Sequence, residues 1–81
     1  MNAAVIQEHM EVVACNGIHV GIVDRVEGDS IKLTRSDPDA NNRHHSIPLA
    51  WVESVGLTVR LNKTREEAQW EWHTVPLSAG G

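Results

Sequence analysis

Histidine is the residue type in this sequence that is best suited to chemistry, because imidazole binds metal ions and exchanges a proton near neutral pH. The 81-residue chain contains His9, His19, His44, His45 and His73. A metal site needs three or four converging ligands, and neighbours on a strand point to opposite faces, which separates His44 from His45. Asp37 and Asp39 could approach His44 around a loop, but Asp-Pro-Asp is also ordinary turn chemistry. Without an H-x-H, H-E-x-x-H or C-x-x-C motif, we expect surface histidines, no metal and no cofactor.

Cys15 is the single thiol of the chain, and Asn16-Gly17-Ile18 separates it from His19. A Cys-His pair across such a turn is geometrically feasible, but nucleophilic catalysis also requires an orienting acid and an oxyanion hole. No pocket-forming insertion accompanies these residues, so we expect an incidental thiol. One cysteine excludes an internal disulfide and favours a reducing compartment, and residues 1–10 lack the pattern of a signal peptide. We therefore expect a cytoplasmic protein.

Acid–base catalysis could use carboxylates that lie close together in the sequence, namely Asp24, Glu27 and Asp29. Asp24 belongs to a strand pattern and Asp29 follows a turn glycine, so both have structural explanations. The glycines in this region fall at turns and at a strand irregularity rather than in a loop that enters a helix, so they do not form a phosphate cradle. These structural glycines are Gly17, Gly21 and Gly28. The sequence therefore predicts no catalytic site, and we expect a protein that is not an enzyme.

Tryptophan is the more informative residue type for function, because it buries a large apolar area at interfaces with little loss of side-chain entropy. The chain has three tryptophans and neither phenylalanine nor tyrosine. We expect Trp70 and Trp72 to pack the C-terminal segment onto the rest of the fold. Trp51 is the best candidate for remaining exposed. All three are candidate interface residues.

Composition and charge narrow the classes of function. Hydrophobic residues make up 41% of the chain and charged residues 22%, as in soluble globular domains. The formal net charge is −4, and the basic residues are scattered, which makes nucleic acid an unfavourable partner. No apolar run is long enough to span a membrane.

The elements that must position these residues are mainly short β-strands. Asn16-Gly17 between two apolar runs is a strong hairpin signal. In the second strand the apolar positions shift phase between Ile22 and Val23, which predicts a bulge near Gly21. A run rich in turn residues over 36–42 predicts the longest loop. The predicted strands cover residues 11–14, 19–27, 30–35, 44–47 and 57–61.

Helical structure is predicted at two places in the second half of the chain. After Pro48 we expect a single helical turn over residues 49–52. Thr64-Arg65-Glu66-Glu67 has the pattern of a capping box, in which the Thr side chain accepts from an amide three residues on. We expect the helix that starts there to end between Gln69 and Trp72.

With the strands placed, the stretch from Met10 to Leu61 resembles the PRC-barrel superfamily. That is the SH3-like barrel shared by the photosynthetic reaction-centre H subunit and the C-terminal domain of the ribosome maturation factor RimM. The resemblance rests on residues 17–29, in which a hairpin glycine is followed by V-G-x-V-D-x-V and then Gly-Asp, and on Ile47-Pro48. The arrangement is similar to stand-alone bacterial proteins of unknown function. It implies a mainly β fold, a small antiparallel barrel of five or six strands with a short C-terminal helix.

This interpretation divides the chain into an N-terminal arm (1–9), a PRC-barrel-like β domain (10–62), a helical extension packing on the barrel (63–73) and a loose tail (74–81). The resemblance implies a non-catalytic module for protein–protein contact. Self-association as a homodimer is included, since a barrel this small buries little surface alone. Two alternatives stay open. One is a ribosome- or RNA-processing-associated factor, by analogy with RimM, and the other is a metal- or small-ligand-binding protein that uses the histidine-bearing loop.

Overall fold

A computed structural model describes residues 5–35 and 43–74 as β-strands, a short α-helix and a 3-10 turn. The 3-10 turn covers Leu49–Trp51 and the helix α1 covers Arg65–Glu71. The mainly β class with one short helix is therefore confirmed, as is the helical turn after Pro48. The predicted loop over 36–42 lies outside the described residues. The strands are β1 (Glu11–Val13), β2 (His19–Glu27), β3 (Ser30–Leu33), β4 (His45–Pro48), β5 (Val52–Val55), β6 (Val59–Leu61) and β7 (His73–Thr74).

These strands form one sheet in the order β5-β6-β1-β2-β3-β4-β7. Neighbours are antiparallel except β1 and β6, which run parallel with Val12 opposite Val59. The predicted antiparallel barrel of five or six strands is thus corrected to a mixed sheet of seven strands. Within the described residues, no pairing of the end strands β5 and β7 closes this sheet into a barrel.

The two additional strands lack the pattern that identifies a strand in a sequence. The middle residues of β5, Glu53 and Ser54, are both exposed, so the strand does not alternate. The strand β7 has only two residues, too few for any periodicity. Both strands lie at the ends of the sheet, where one side has no neighbour to impose burial.

The long strand β2 organises the sheet because it pairs with different strands along its two halves. Residues 19–22 pair with β1, and residues 23–27 pair with β3. The register shifts in both pairings, once opposite Val12 and Val13 and once between Val23 and Arg25. The shift opposite Val12 and Val13 lies next to Gly21, where the change of phase in the sequence predicts a bulge.

Glycine meets two different requirements in this part of the chain. Gly17 has φ +86° and Gly28 has φ +58°, in the left-handed region that favours glycine, and each lies in a turn between paired strands. Gly21 instead allows close packing, because a Cβ atom there would lie 3.1 Å from Cδ1 of Leu33.

The core is built almost entirely from aliphatic side chains of the sheet. Ala68 of α1 belongs to the same buried cluster, so the helix packs on the sheet. Ile6, from the predicted N-terminal arm, is also in this cluster. From the predicted tail, Thr74 lies in β7, and residues 75–81 lie outside the described part of the chain. The largest fully buried side chains are Ile31, Leu33, Ile47, Leu61, Val12, Val20, Val23 and Val59.

The helix α1 begins at the predicted capping box. The Thr64 hydroxyl accepts a hydrogen bond from the Glu67 backbone N–H at 3.1 Å, and the Glu67 carboxylate accepts one from the Thr64 N–H at 2.9 Å. The backbone and side-chain hydrogen bonds of Thr64 hold the pKa of Glu67 below its usual value, so a negative charge faces the helix N-terminus. The helix ends at Glu71, within the predicted limits.

Removing the cap should weaken the whole domain, because α1 contributes Ala68 to the core. We expect Thr64→Ala to lower the free energy of unfolding by about 1 kcal/mol, measured by urea denaturation. Thr64→Ser retains the hydroxyl and should cost less than half as much. Equal losses in the two variants would contradict a stabilising role for this hydrogen bond.

Candidate functional site

The short helix α1 turns its residues toward two different environments. Ala68 is fully buried, and Trp72, four residues further, packs against the same core cluster. Helical residues are separated by about 100°, so Trp70 lies about 160° around the axis from Ala68. The Trp70 side chain is accordingly 85% exposed. The prediction that Trp72 packs onto the rest of the fold is confirmed. The same prediction for Trp70 is wrong, because the helical spacing from Ala68 turns the Trp70 side chain toward solvent.

Trp72 fixes the end of the helix to the sheet through an aromatic stack. Its ring centroid lies 3.9 Å from that of His45 in β4, with 17° between the ring planes. His45 is only 5% exposed. Burial lowers the pKa of His45, and the charges of His44 and Arg43 lower it further, so the stacked imidazole is neutral at pH 7. The stack therefore holds α1 in place without placing a charge in the core.

Trp51 lies at the end of the 3-10 turn, half-buried and packed against the core cluster. The Lys63 ammonium lies 5.1 Å from the centroid of its ring, a cation–π contact. The same ammonium lies 3.5 Å from a carboxylate oxygen of Glu71, the last residue of α1. The expectation that Trp51 is the best candidate for remaining exposed is wrong, because Trp51 is half-buried whereas Trp70 is 85% exposed.

The three candidate interface residues thus lie around one helix. Trp51 is joined to it through Lys63 and Glu71, Trp70 projects from it, and Trp72 caps its end. Sequence reasoning had no means of finding Lys63, because its contacts bring together residues from three separate elements. The assignment of the tryptophans to an interface stays a prediction.

Other exposed apolar side chains are scattered. Leu57, in the β5–β6 turn, is 97% exposed, and Ile18 and Val5 are about half exposed. Single apolar side chains of this kind are normal on a folded surface. Trp70 differs from them in size and in its position on a capped helix.

His44 and His45 make separate structural contacts, and the expectation of surface histidines is wrong for His45, which is buried in the core. Nδ1 of His44 lies 3.1 Å from the carbonyl oxygen of Leu33, whereas His45 stacks on Trp72. Within residues 5–35 and 43–74, no group of three or more His, Cys, Asp or Glu side chains is arranged to hold a metal ion. The predicted loop carboxylates Asp37 and Asp39 lie outside the described residues.

The candidate nucleophile Cys15 is a free, exposed thiol at the β1–β2 turn. Nδ1 of His19, the base considered for it, lies 2.8 Å from a carboxylate oxygen of Glu11. That contact ties β1 to β2 and gives His19 a structural role. On the surface formed by the described residues, no cavity opens beside this pair.

The candidate acid–base carboxylates also lie at structural positions. The side chain of Glu27 pairs with Arg25 at 3.2 Å. Asp24 lies in β2 at the register shift, half-buried. The backbone carbonyl of Asp29 accepts a hydrogen bond from the Leu49 N–H at 2.7 Å, which anchors the 3-10 turn. The Glu27 side chain therefore belongs to a surface ion pair, and the contact of Asp29 is made by its backbone.

None of the helical structure in the described segments has the length and apolar character needed to cross a bilayer.

A family model described as "Uncharacterized protein conserved in bacteria (DUF2171)" matches residues 6–69, from the buried Ile6 into α1. No curated protein and no solved structure matches the chain. The expectation of a bacterial family of unknown function is confirmed. Because the match covers well over half of its length, this chain belongs to the DUF2171 family of uncharacterized bacterial proteins.

Proposed function

We propose that this protein is a non-catalytic interaction module that contacts another protein chain through the exposed side of α1 that carries Trp70. The observation that carries this proposal is Trp70, whose indole is 85% exposed. A tryptophan buries up to about 250 Å² when it is covered, so its exposure leaves a large unused contribution to association. Tryptophan is also prominent among the residues that dominate binding energy at protein interfaces.

The setting of Trp70 favours binding because the residue is held in place before any partner arrives. The capping box at Thr64 and Glu67 fixes the start of α1. Burial of Ala68 and the stack of Trp72 on His45 fix its face and its end. A side chain on a rigid element loses less entropy on binding than one on a mobile loop.

The finer assignments that accompany this proposal are a PRC-barrel-type fold and a cytoplasmic location. The pattern V-G-x-V-D-x-V over residues 20–26 and the irregular, shared strand β2 support the fold. The exposed, unpaired Cys15 supports a reducing compartment. Contact with a second copy is one form of the proposed interaction, because a domain of this size buries little surface alone.

The proposal predicts that partner binding depends on Trp70. The full chain would be used to isolate a protein from a bacterial lysate, and the purified pair would be titrated calorimetrically. We expect Trp70→Ala to weaken binding at least tenfold, since it removes the anchoring indole. Light scattering coupled to size-exclusion chromatography of the chain alone would show whether that partner is a second copy.

Leu57→Ala is the matched control, because Leu57 is apolar and even more exposed but lies in the β5–β6 turn. It should change the affinity less than twofold. Equal affinities of the wild type and Trp70→Ala for every isolated partner, and an unchanged oligomeric state, would contradict the proposal. Turnover of a substrate by the purified chain would contradict its non-catalytic part.

A further inference from the structure

Two glutamates, Glu66 and Glu67, lie on the same side of α1 as the exposed Trp70. Around the helix axis, Glu66 lies about 40° and Glu67 about 60° from Trp70, one turn earlier, and residues so spaced are neighbours on the helix surface. Both glutamates are exposed, as is Glu71, which follows Trp70 directly. We call Glu66, Glu67 and Trp70 the Trp70 face. It presents an aromatic ring beside two carboxylates.

The same combination of groups already holds a cation elsewhere in this molecule. The Lys63 ammonium lies 5.1 Å from the centroid of the Trp51 ring and 3.5 Å from the Glu71 carboxylate. The ring attracts the cation through its quadrupole, and the carboxylate supplies an ion pair. Among the described residues this is the one cation–π contact. The ring of Trp70 belongs to a residue that is 85% exposed, so a cation from outside the chain can reach it.

A second copy of the chain is a poor occupant of the Trp70 face. In a two-fold symmetric dimer the same patch meets itself, which would set Glu66 and Glu67 against their own equivalents. Like charges in such a contact oppose association. A contact with basic residues elsewhere on a second copy would be head-to-tail, and would give rings or open filaments instead of a two-fold dimer.

We infer that the Trp70 face binds a basic segment of a different protein, with an arginine or lysine side chain over the indole and paired with Glu66 and Glu67. This inference rests on the proposed function and names its partner class. Arginine suits the site best, because its planar guanidinium stacks on aromatic rings and forms two-point hydrogen bonds with carboxylates. The net charge of −4 attracts such a segment from a distance.

The test uses the full ¹⁵N-labelled chain, with the indole resonance of Trp70 assigned by comparison with Trp70→Phe. The probe is a synthetic peptide of alternating arginine and serine. Matched peptides replace each arginine by citrulline, which has no charge, or by glutamate. We expect only the arginine peptide to shift the Trp70 resonance, and more than those of Trp51 and Trp72. Its affinity should fall at least tenfold between about 0.05 M and about 0.5 M salt, as expected for exposed ion pairs.

The double variant Glu66→Gln/Glu67→Gln tests the carboxylates while preserving the helix, because glutamine also completes a capping box. It should weaken binding of the arginine peptide at least fivefold. The control Glu8→Gln/Glu53→Gln removes the same charge from exposed positions outside α1 and should change binding less than twofold. Equal weakening by both variants would reduce the effect to net charge and overturn the inference, as would equal binding of the citrulline peptide.

The failure of this inference can be distinguished from the failure of the proposed function. A partner that needs Trp70 but is bound equally well by the Glu66→Gln/Glu67→Gln variant would overturn the basic-segment inference alone. A symmetric dimer lost in Trp70→Ala would do the same. Partner binding that is indifferent to Trp70 would overturn both.

Discussion

Trp72→Ala is expected to lower the free energy of unfolding by about 3 kcal/mol. The Trp72 ring packs against the core cluster and stacks on His45 at 3.9 Å, so its removal leaves a cavity between α1 and β4. The measurement is urea denaturation followed by far-ultraviolet circular dichroism, since every tryptophan substitution alters the fluorescence.

Trp70→Ala is the matched control for this experiment, because it removes the same side chain two residues away. With 85% of its surface already exposed, Trp70 makes few contacts to lose, and we expect a change below about 0.5 kcal/mol. Comparable losses in the two variants would mean that Trp70 is also packed, and would contradict the orientation of α1. The contrast between the variants separates the residue that stabilises the fold from the residue that is available for binding.

Trp70 is exposed and Trp72 packs against the core, a difference that the sequence alone does not predict. In a strand, residues two apart share a face, whereas in a helix they are separated by about 200°. The capping box predicts a helix, but the alternation of Trp70 and Trp72 with polar residues also suits a strand. The pairing of Ala68 with Trp72 at helical spacing is the signal in the sequence that points to the helical phase.

Local signals predict local structure well in this chain. The capping box, the turn glycines and the phase shift within β2 each depend on a few adjacent residues, and each has a counterpart in the structure. The parallel pairing of Val12 with Val59 has no such signal, because it joins strands from opposite ends of the fold. The contacts of Lys63 with Trp51 and Glu71 were inaccessible for the same reason.

Acidification below the usual histidine pKa is expected to destabilise the domain through His45. Burial lowers the pKa of His45 in the folded chain, and the charges of His44 and Arg43 lower it further. The folded state therefore binds the proton more weakly than the unfolded state, and protonation favours unfolding. The stability is fully present above about pH 6.5, the unfolded value, and falls as the pH drops toward the folded pKa. For one proton the slope is at most about 1.4 kcal/mol per pH unit.

His45→Phe isolates this contribution, because it keeps an aromatic ring against Trp72 and removes the titrating group. At pH 8 its free energy of unfolding should lie within about 1 kcal/mol of the wild-type value. Between pH 6.5 and pH 5, above the range of most carboxylates, its stability should fall less steeply than that of the wild type. His73→Gln, which removes an exposed imidazole from β7, is the comparison variant for the loss of one histidine. A His45→Phe variant that loses stability as steeply as the wild type would contradict the role of His45.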